Sequence, residues 1–305
     1  MIERSTDEFY GEGQARPLAQ LGAEAGSLDD LMRAVREHLG LQAAYASAAV
    51  GIERERHAAA ALNSIRAPID AVMANGSVQI VYQPIWKLGE ARPIGFEALA
   101  RFPSPSPTQP SRSPDQWFND AAIVGLGEAL EVLAVEKALV ALLLLPEDIY
   151  ITVNVSPLTA HGAALHQVLR RHDLKRIVLE ITEHEGVEDV LALRDALAGL
   201  RAQGMRLAVD DAGAGYSGLQ QILQLRPDVI KLDRFFVSGI DSDPSRRALA
   251  AALAEFSNQV GSTIIAEGVE VEAELETLRT LGFRLIQGYL LGKPQPLADA
   301  LALVR

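Results

Sequence analysis

Two adjacent carboxylates, Asp210 and Asp211, follow the short apolar run Met205-Arg206-Leu207-Ala208-Val209 and open a loop with glycine at alternate positions, Gly213 and Gly215. Neighbouring residues at a strand end point to opposite sides, so the two acids diverge unless something draws them together. A pair of divalent cations does this, one carboxylate bridging both ions and the other holding the second. A surface turn is the plain alternative, because Asp and Gly are common turn formers. Other apolar runs end in similar chemistry, which favours the metal: the strand ends collect Glu97, Asn154, Glu180, Asp210, Asp211, Lys231, Glu267 and Gln287. So many carboxylates in one place repel strongly without counter-charge. Hard oxygen donors with one amide, and no cysteine or paired histidine, favour Mg2+ or Mn2+ over zinc or copper. Two such ions can activate a water, stabilise a leaving oxygen and clamp a phosphoryl group for in-line displacement. Glu180 and Glu183 cannot both point inward from a regular strand, so one is a ligand and the other braces a neighbouring loop.

Residues this far apart in sequence meet only if their elements end on one face. Strand-like runs stand at 78–85, 94–102, 149–155, 177–183, 205–210, 229–233, 263–268 and 283–288. Helical stretches lie near 115–144, 163–171, 188–203, 244–260 and 272–281. Such alternation predicts parallel pairing with right-handed crossovers. About eight strands in roughly 230 residues predict an α/β fold, a (β/α)8 TIM-type barrel whose C-terminal strand ends form one mouth. The barrel is expected over 75–305, preceded by a partly helical extension over 1–74. In that extension 1–26 read as a loosely packed leader. Leu28, Leu31, Met32, Val35 and Leu39 then fall at helical spacing between a Ser27 N-cap and a Gly40 stop. Leu41 to Val50 is expected as a strand, and Ile52 to Met73 as a helix ended by Asn75-Gly76. The Pro- and Ser-rich stretch 103–114 reads as an exposed loop beside the mouth.

The formal charge of -12 argues against a nonspecific nucleic-acid binder but not against a small anionic nucleotide held by metal. Without cysteine there are no disulfides or thiolate sites. The longest apolar run, Ala138 to Leu145, is far short of the roughly 18 residues of a membrane span. A cytoplasmic protein is expected. The histidines show no metal spacing, and Trp86, Trp117, Tyr216 and Tyr289 read as packing residues.

The segments Tyr82-Gln83-Pro84-Ile85, Glu97-Ala98-Leu99-Ala100-Arg101, Val153-Asn154-Val155-Ser156, Leu179-Glu180-Ile181-Thr182-Glu183, Asp210-Asp211-Ala212-Gly213-Ala214-Gly215-Tyr216-Ser217, Lys231-Leu232-Asp233, Ala266-Glu267-Gly268-Val269-Glu270 and Gln287-Gly288-Tyr289 resemble, in order, the motif series of the EAL-domain cyclic di-GMP phosphodiesterases. The resemblance implies hydrolysis of cyclic di-GMP to linear pGpG with two Mg2+ or Mn2+ ions. Glu97, Asn154, Glu180 and Asp210 match the positions that bind one ion, Asp210 also reaching the second, and Asp211 matches a ligand of the second. Lys231 and Glu267 match the residues that orient and deprotonate the attacking water. Gln83, Arg101 and Gln287 match substrate-binding positions, with the arginine facing a phosphate. Glu183 matches the brace of the loop after Asp211, through which, with adjacent helices, a homodimer is implied. Ala212 and Ala214 replace the aromatic and the hydroxyl usual in that loop, which touches regulation and rate rather than the ligands. Residues 28–50 resemble the opening helix and strand of a GAF sensor domain. A non-catalytic cyclic di-GMP receptor and an interaction scaffold are the alternatives to the enzyme.

Overall fold

A computed structural model of the chain describes residues 27–103, 112–181, 190–212 and 222–305. The leader over 1–26 and most of the Pro- and Ser-rich loop lie outside the described residues. Two units are distinguished, Met1–Ser64 and Ile65–Arg305.

Ser27 caps the helix Leu28–Asn75, its Oγ accepting the Asp30 backbone N–H at 3.2 Å. The helix runs through Gly40, and the strand expected over Leu41–Val50 is helical. Glycine inside a helix costs only about 1 kcal/mol relative to alanine, and the run Ala43-Ala44-Tyr45-Ala46-Ser47-Ala48-Ala49 is rich in the strongest helix former. The resemblance to a GAF opening therefore lacks its strand among the described residues.

In the second unit the last turns of this helix bury Ile69 and Val72 against Val78, Trp117, Ala121 and Leu130. The helix stops where expected, at Asn75, with Gly76 in the left-handed region at φ +56. Trp117 is packing as expected, stacked on Phe102 with ring centroids 5.0 Å apart.

Eight strands close a barrel in chain order: β1 Gln79–Lys87, β2 Gly95–Arg101, β3 Tyr150–Val155, β4 Ile177–Ile181, β5 Arg206–Ala212, β6 Val229–Leu232, β7 Thr263–Ala266 and β8 Leu285–Ile286. The (β/α)8 TIM-type class holds, with one correction: β1 runs antiparallel to both β2 and β8. Leu88–Ile94 is too short a connection for a crossover helix and makes a hairpin instead, placing Gln83 opposite Glu97. From β2 to β8 the pairing is parallel, as expected. The barrel is also stitched across its ends, since Tyr82 and Gln295 exchange backbone hydrogen bonds of 2.7 and 3.1 Å.

Side chains alternate along each strand. Those facing out, among them Phe96, Ile151, Leu179, Leu207, Val209 and Ile230, form the main core beneath the helices. Each fully buried Leu or Ile contributes about 1.5–3 kcal/mol. Those facing in begin with an apolar layer of Ile85, Tyr150, Val178, Ala208, Val229, Ile265 and Leu285. Gly95 is required here, because a Cβ would collide with the Tyr150 ring. The Arg206 guanidinium lies over the same ring, 4.3 Å from its centroid. The next residues inward along the strands are polar, and they carry the chemistry.

Candidate functional site

Two residues beyond the apolar layer, the period of two brings Thr152, Glu180 and Lys231 to the barrel axis, with Glu97 on the neighbouring β2. Lys231, 2 % exposed, is the hub. Its Nζ stands 2.5 Å from Glu180, 2.6 Å from Glu267, 3.6 Å from Glu97 and 3.7 Å from Asp210. A lysine survives burial only with such partners. Burial alone lowers its pKa, but Asp210, Glu180, Glu267 and Glu97 outweigh that and hold it well above the usual range. The counter-charge that converging acids need is thus partly built into the chain.

The acids shift in the same direction, which for them favours the neutral form. Burial pushes Glu180 well above the carboxylate range, and Asp210, Glu97 and Glu267 add to this against the pull of Lys231. Burial likewise lifts Glu267 to about 8, with Lys231 opposing and Asp210 and Glu97 reinforcing. Glu267 stands at the rim, its side chain 17 % exposed, in the turn after β7.

An amide wall fixes Glu97. Asn154 Nδ2 donates to Glu97 Oε1 at 2.9 Å, and Gln287 Nε2 donates to Glu97 Oε2 at 2.5 Å. Gln287 Nε2 also reaches Gln83 Oε1 at 3.2 Å, and Gln83 Nε2 donates to the Gly292 carbonyl at 3.2 Å. Gln83 and Gln287 are buried and committed to this wall. Gln287 Oε1 is buried without a protein partner. Beneath the wall Thr152 Oγ1 donates to Glu180 Oε2 at 2.8 Å. Sequence reading missed Thr152, although it lies two residues before Asn154 and so shares its face.

Glu97 lies mid-strand rather than at a strand end, because the hairpin carries β2 on to Arg101. Arg101 faces the same side as Glu97, about 13 Å further along the strand. Its guanidinium donates to the Ala100 carbonyl at 2.9 Å. The Asp210-Asp211 step coincides with a register shift: Val209 pairs with Ile230 and Ala212 with Leu232, so β5 carries one extra residue. Such bulges re-aim side chains beside functional sites. The carboxylate of Asp211, together with Glu183 and the glycine-rich loop including Tyr216, lies outside the described residues. Tyr289 is not a packing residue. It is 53 % exposed, with Lys293 Nζ 5.3 Å from its ring centroid. Trp86 is half-buried, and its indole Nε1 has no hydrogen-bond partner in the protein.

Four carboxylates facing one ammonium, with an amide beside them, form a hard, negatively charged oxygen set of the kind a divalent cation takes. Among the described residues no three acids or histidines are spaced as a finished metal site; the acids converge on Lys231 instead. The donor chemistry fits an Mg2+-like ion. No helix among the described residues is long and apolar enough to cross a membrane.

The family model described as the EAL domain matches residues 66–294. The bifunctional diguanylate cyclase/cyclic di-GMP phosphodiesterase MucR of Pseudomonas aeruginosa is 33% identical over 233 residues, covering 73% of this chain and 34% of its own length. The solved structure of the PaMucR phosphodiesterase in complex with c-di-GMP matches with a TM-score of 0.68 at 29% identity, covering 77% of this chain and 99% of that one. The manganese/cy-diGMP complex of Klebsiella pneumoniae BlrP1 at pH 6 matches with a TM-score of 0.63 at 30% identity, covering 72% of this chain and 56% of that one. The chain spans about a third of the length of the curated relatives it matches.

Proposed function

Because the chain belongs to the EAL-domain family, we propose that its barrel hydrolyses cyclic di-GMP to linear pGpG with two Mg2+ or Mn2+ ions. The observation that carries this reading is the convergence of Glu97, Glu180, Asp210 and Glu267 on Lys231. The names of the MucR and BlrP1 complexes support the ligand and a divalent ion.

Glu97, Asn154, Glu180 and Asp210 would hold one ion, and Asp210 with Asp211 the other. Bound divalent ions supply neutralisation of the phosphoryl oxygens and a more acidic water. Glu267 would take the proton of the attacking water, the positive charge of the bound ions and of Lys231 favouring its carboxylate form. Lys231 would orient that water and favour the ionised form of Glu267 that receives its proton. The water oxygen would bond to phosphorus as the bond to the bridging sugar oxygen breaks, and that oxygen would take a proton from solvent to become the hydroxyl of pGpG, Glu267 releasing its own to solvent. Arg101, at the rim, is suited to a phosphate of the substrate, whereas Gln83 and Gln287 would meet it only through the wall they form. Glu183 would brace the loop after Asp211, and a homodimer would form through that loop and its adjacent helices. The catalytic domain is taken as 75–305, with 1–74 as its extension, acting in the cytoplasm.

Incubating the chain with cyclic di-GMP and Mg2+ or Mn2+, followed by chromatography, tests the reading. Appearance of pGpG is expected. No turnover by a folded, metal-loaded chain overturns it.

A further inference from the structure

Glu180 is the most enclosed acid of the cluster, with a fully buried side chain. A glutamate turns about three side-chain bonds, so an ion pair to one of its oxygens does not by itself fix where the other points. Lys231 takes Oε1 at 2.5 Å, and Oε2 is taken from below by the Thr152 hydroxyl at 2.8 Å. The surroundings offer little else. Tyr150, Val178, Ala208, Val229 and Ile265 line the space under Thr152, Glu180 and Lys231, and the cavity among them measures about 10 Å3. That is at the lower limit for a single water, so solvent has little room to replace the hydroxyl.

We propose that Thr152 is a positioning residue, whose hydroxyl holds the Glu180 carboxylate in the orientation that serves both Lys231 and a divalent cation. The inference rests on the hydrolase reading. Thr152 touches neither substrate nor ion and acts only through Glu180. Hydrogen-bond partners that orient a metal ligand change metal affinity or activity by about 10–100-fold when removed.

The test compares the full chain with Thr152→Val, which keeps the shape and removes the donor, and Thr152→Ser, which keeps the donor. Mn2+ affinity is read by titration calorimetry, and kcat and KM are read with cyclic di-GMP. T152V is expected to lose about 10–100-fold in both Mn2+ affinity and kcat, with KM changed less than about threefold, and T152S to recover most of the loss. If T152V binds Mn2+ and turns over like the wild type, or if T152S is as impaired as T152V, the proposal is wrong. Should T152V fail to fold, T152A makes the same comparison. A wild-type chain that binds Mn2+ without hydrolysis would sink the hydrolase reading and leave the calorimetry to decide Thr152. A wild-type chain that binds no Mn2+ would sink both.

Discussion

Lys231 Nζ lies 2.6 Å from Glu267 Oε1 inside the barrel mouth, joining a lysine from β6 to the turn after β7. In the metal-free chain this ammonium is the cation on which the cluster converges. Lys231→Ala therefore leaves Glu180 and Glu267 buried without a counter-charge. Removing one partner of a buried pair costs about 3–5 kcal/mol, and loss of the water-orienting group lowers kcat by about 10²–10⁴-fold. Urea unfolding in EDTA and steady-state kinetics in Mn2+ check the two effects. Metal affinity should change less than the rate.

Glu97→Ala acts differently, because both Glu97 oxygens are already occupied by Asn154 and Gln287. Truncation removes a proposed ligand and takes an acceptor from half-buried Asn154 and from buried Gln287, which keeps its bond to Gln83, at about 1–3 kcal/mol in all. Turnover should vanish at any Mn2+ concentration. Chromatography of pGpG at rising metal would reveal a rescue if that expectation is mistaken.

The pH dependence has a definite sign. Glu267 is lifted from 4.5 to about 8 in the fold. Between those values the native state keeps a proton that the unfolded chain has released. The contribution of Glu267 to the stability of the metal-free chain is thus fully present below about pH 4.5 and is lost as pH rises through 8, by up to roughly 1.4 kcal/mol per unit. Urea midpoints in EDTA from pH 5 to 8 should decline, and saturating Mn2+ should flatten the decline. A midpoint rising with pH in EDTA would refute the assignment.

Gly288→Ala tests the geometry of the wall. A Cβ there collides with the Val269 backbone, and Val269 N–H donates to the Gln287 carbonyl at 3.2 Å. Backbone cannot yield as a side-chain tip does, so the substitution should cost about 1–3 kcal/mol and reduce turnover by displacing Gln287. Thermal unfolding and kinetics read both.

Truncation tests the boundary. A chain beginning at Asn75 loses Ile69 and Val72, both buried in the second unit. It should be less stable than one beginning at Ile65 by about 3–6 kcal/mol, taking about 1.5–3 per side chain. Equal urea midpoints would support the division at 74/75.

Much of this was readable from residue order. The strands from β2 to β8 lie within their expected runs except β5, which continues past Asp210 to Ala212, because apolar runs bounded by polar residues mark a strand even where, as at Glu97, the acid is not its end. The Pro244 start and Val260 end of one helix were also legible, from a proline after Asp243 and a glycine at 261. The sense of β1 was not. Val78-Gln79-Ile80-Val81-Tyr82 reads the same in either direction, and only the short Leu88–Ile94 connection forces the hairpin. The bulge at Asp210-Asp211 was hidden too, since an extra residue in one strand shows only against its partner's register. Thr152 escaped for a related reason: a threonine in a strand looks like β propensity until Glu180 is seen above it.

The stitch between Tyr82 and Gln295 joins positions far apart in the chain, and everything catalytic lies between them. During synthesis the ribosome must release every residue up to Gln295 before the first strand can find this neighbour. Partial translation products carry the acids but no closed ring to gather them, so they should be inert. Pairings over such separations are slow to form, and the newborn chain should pass through a long interval as a client for chaperones before it can act at all.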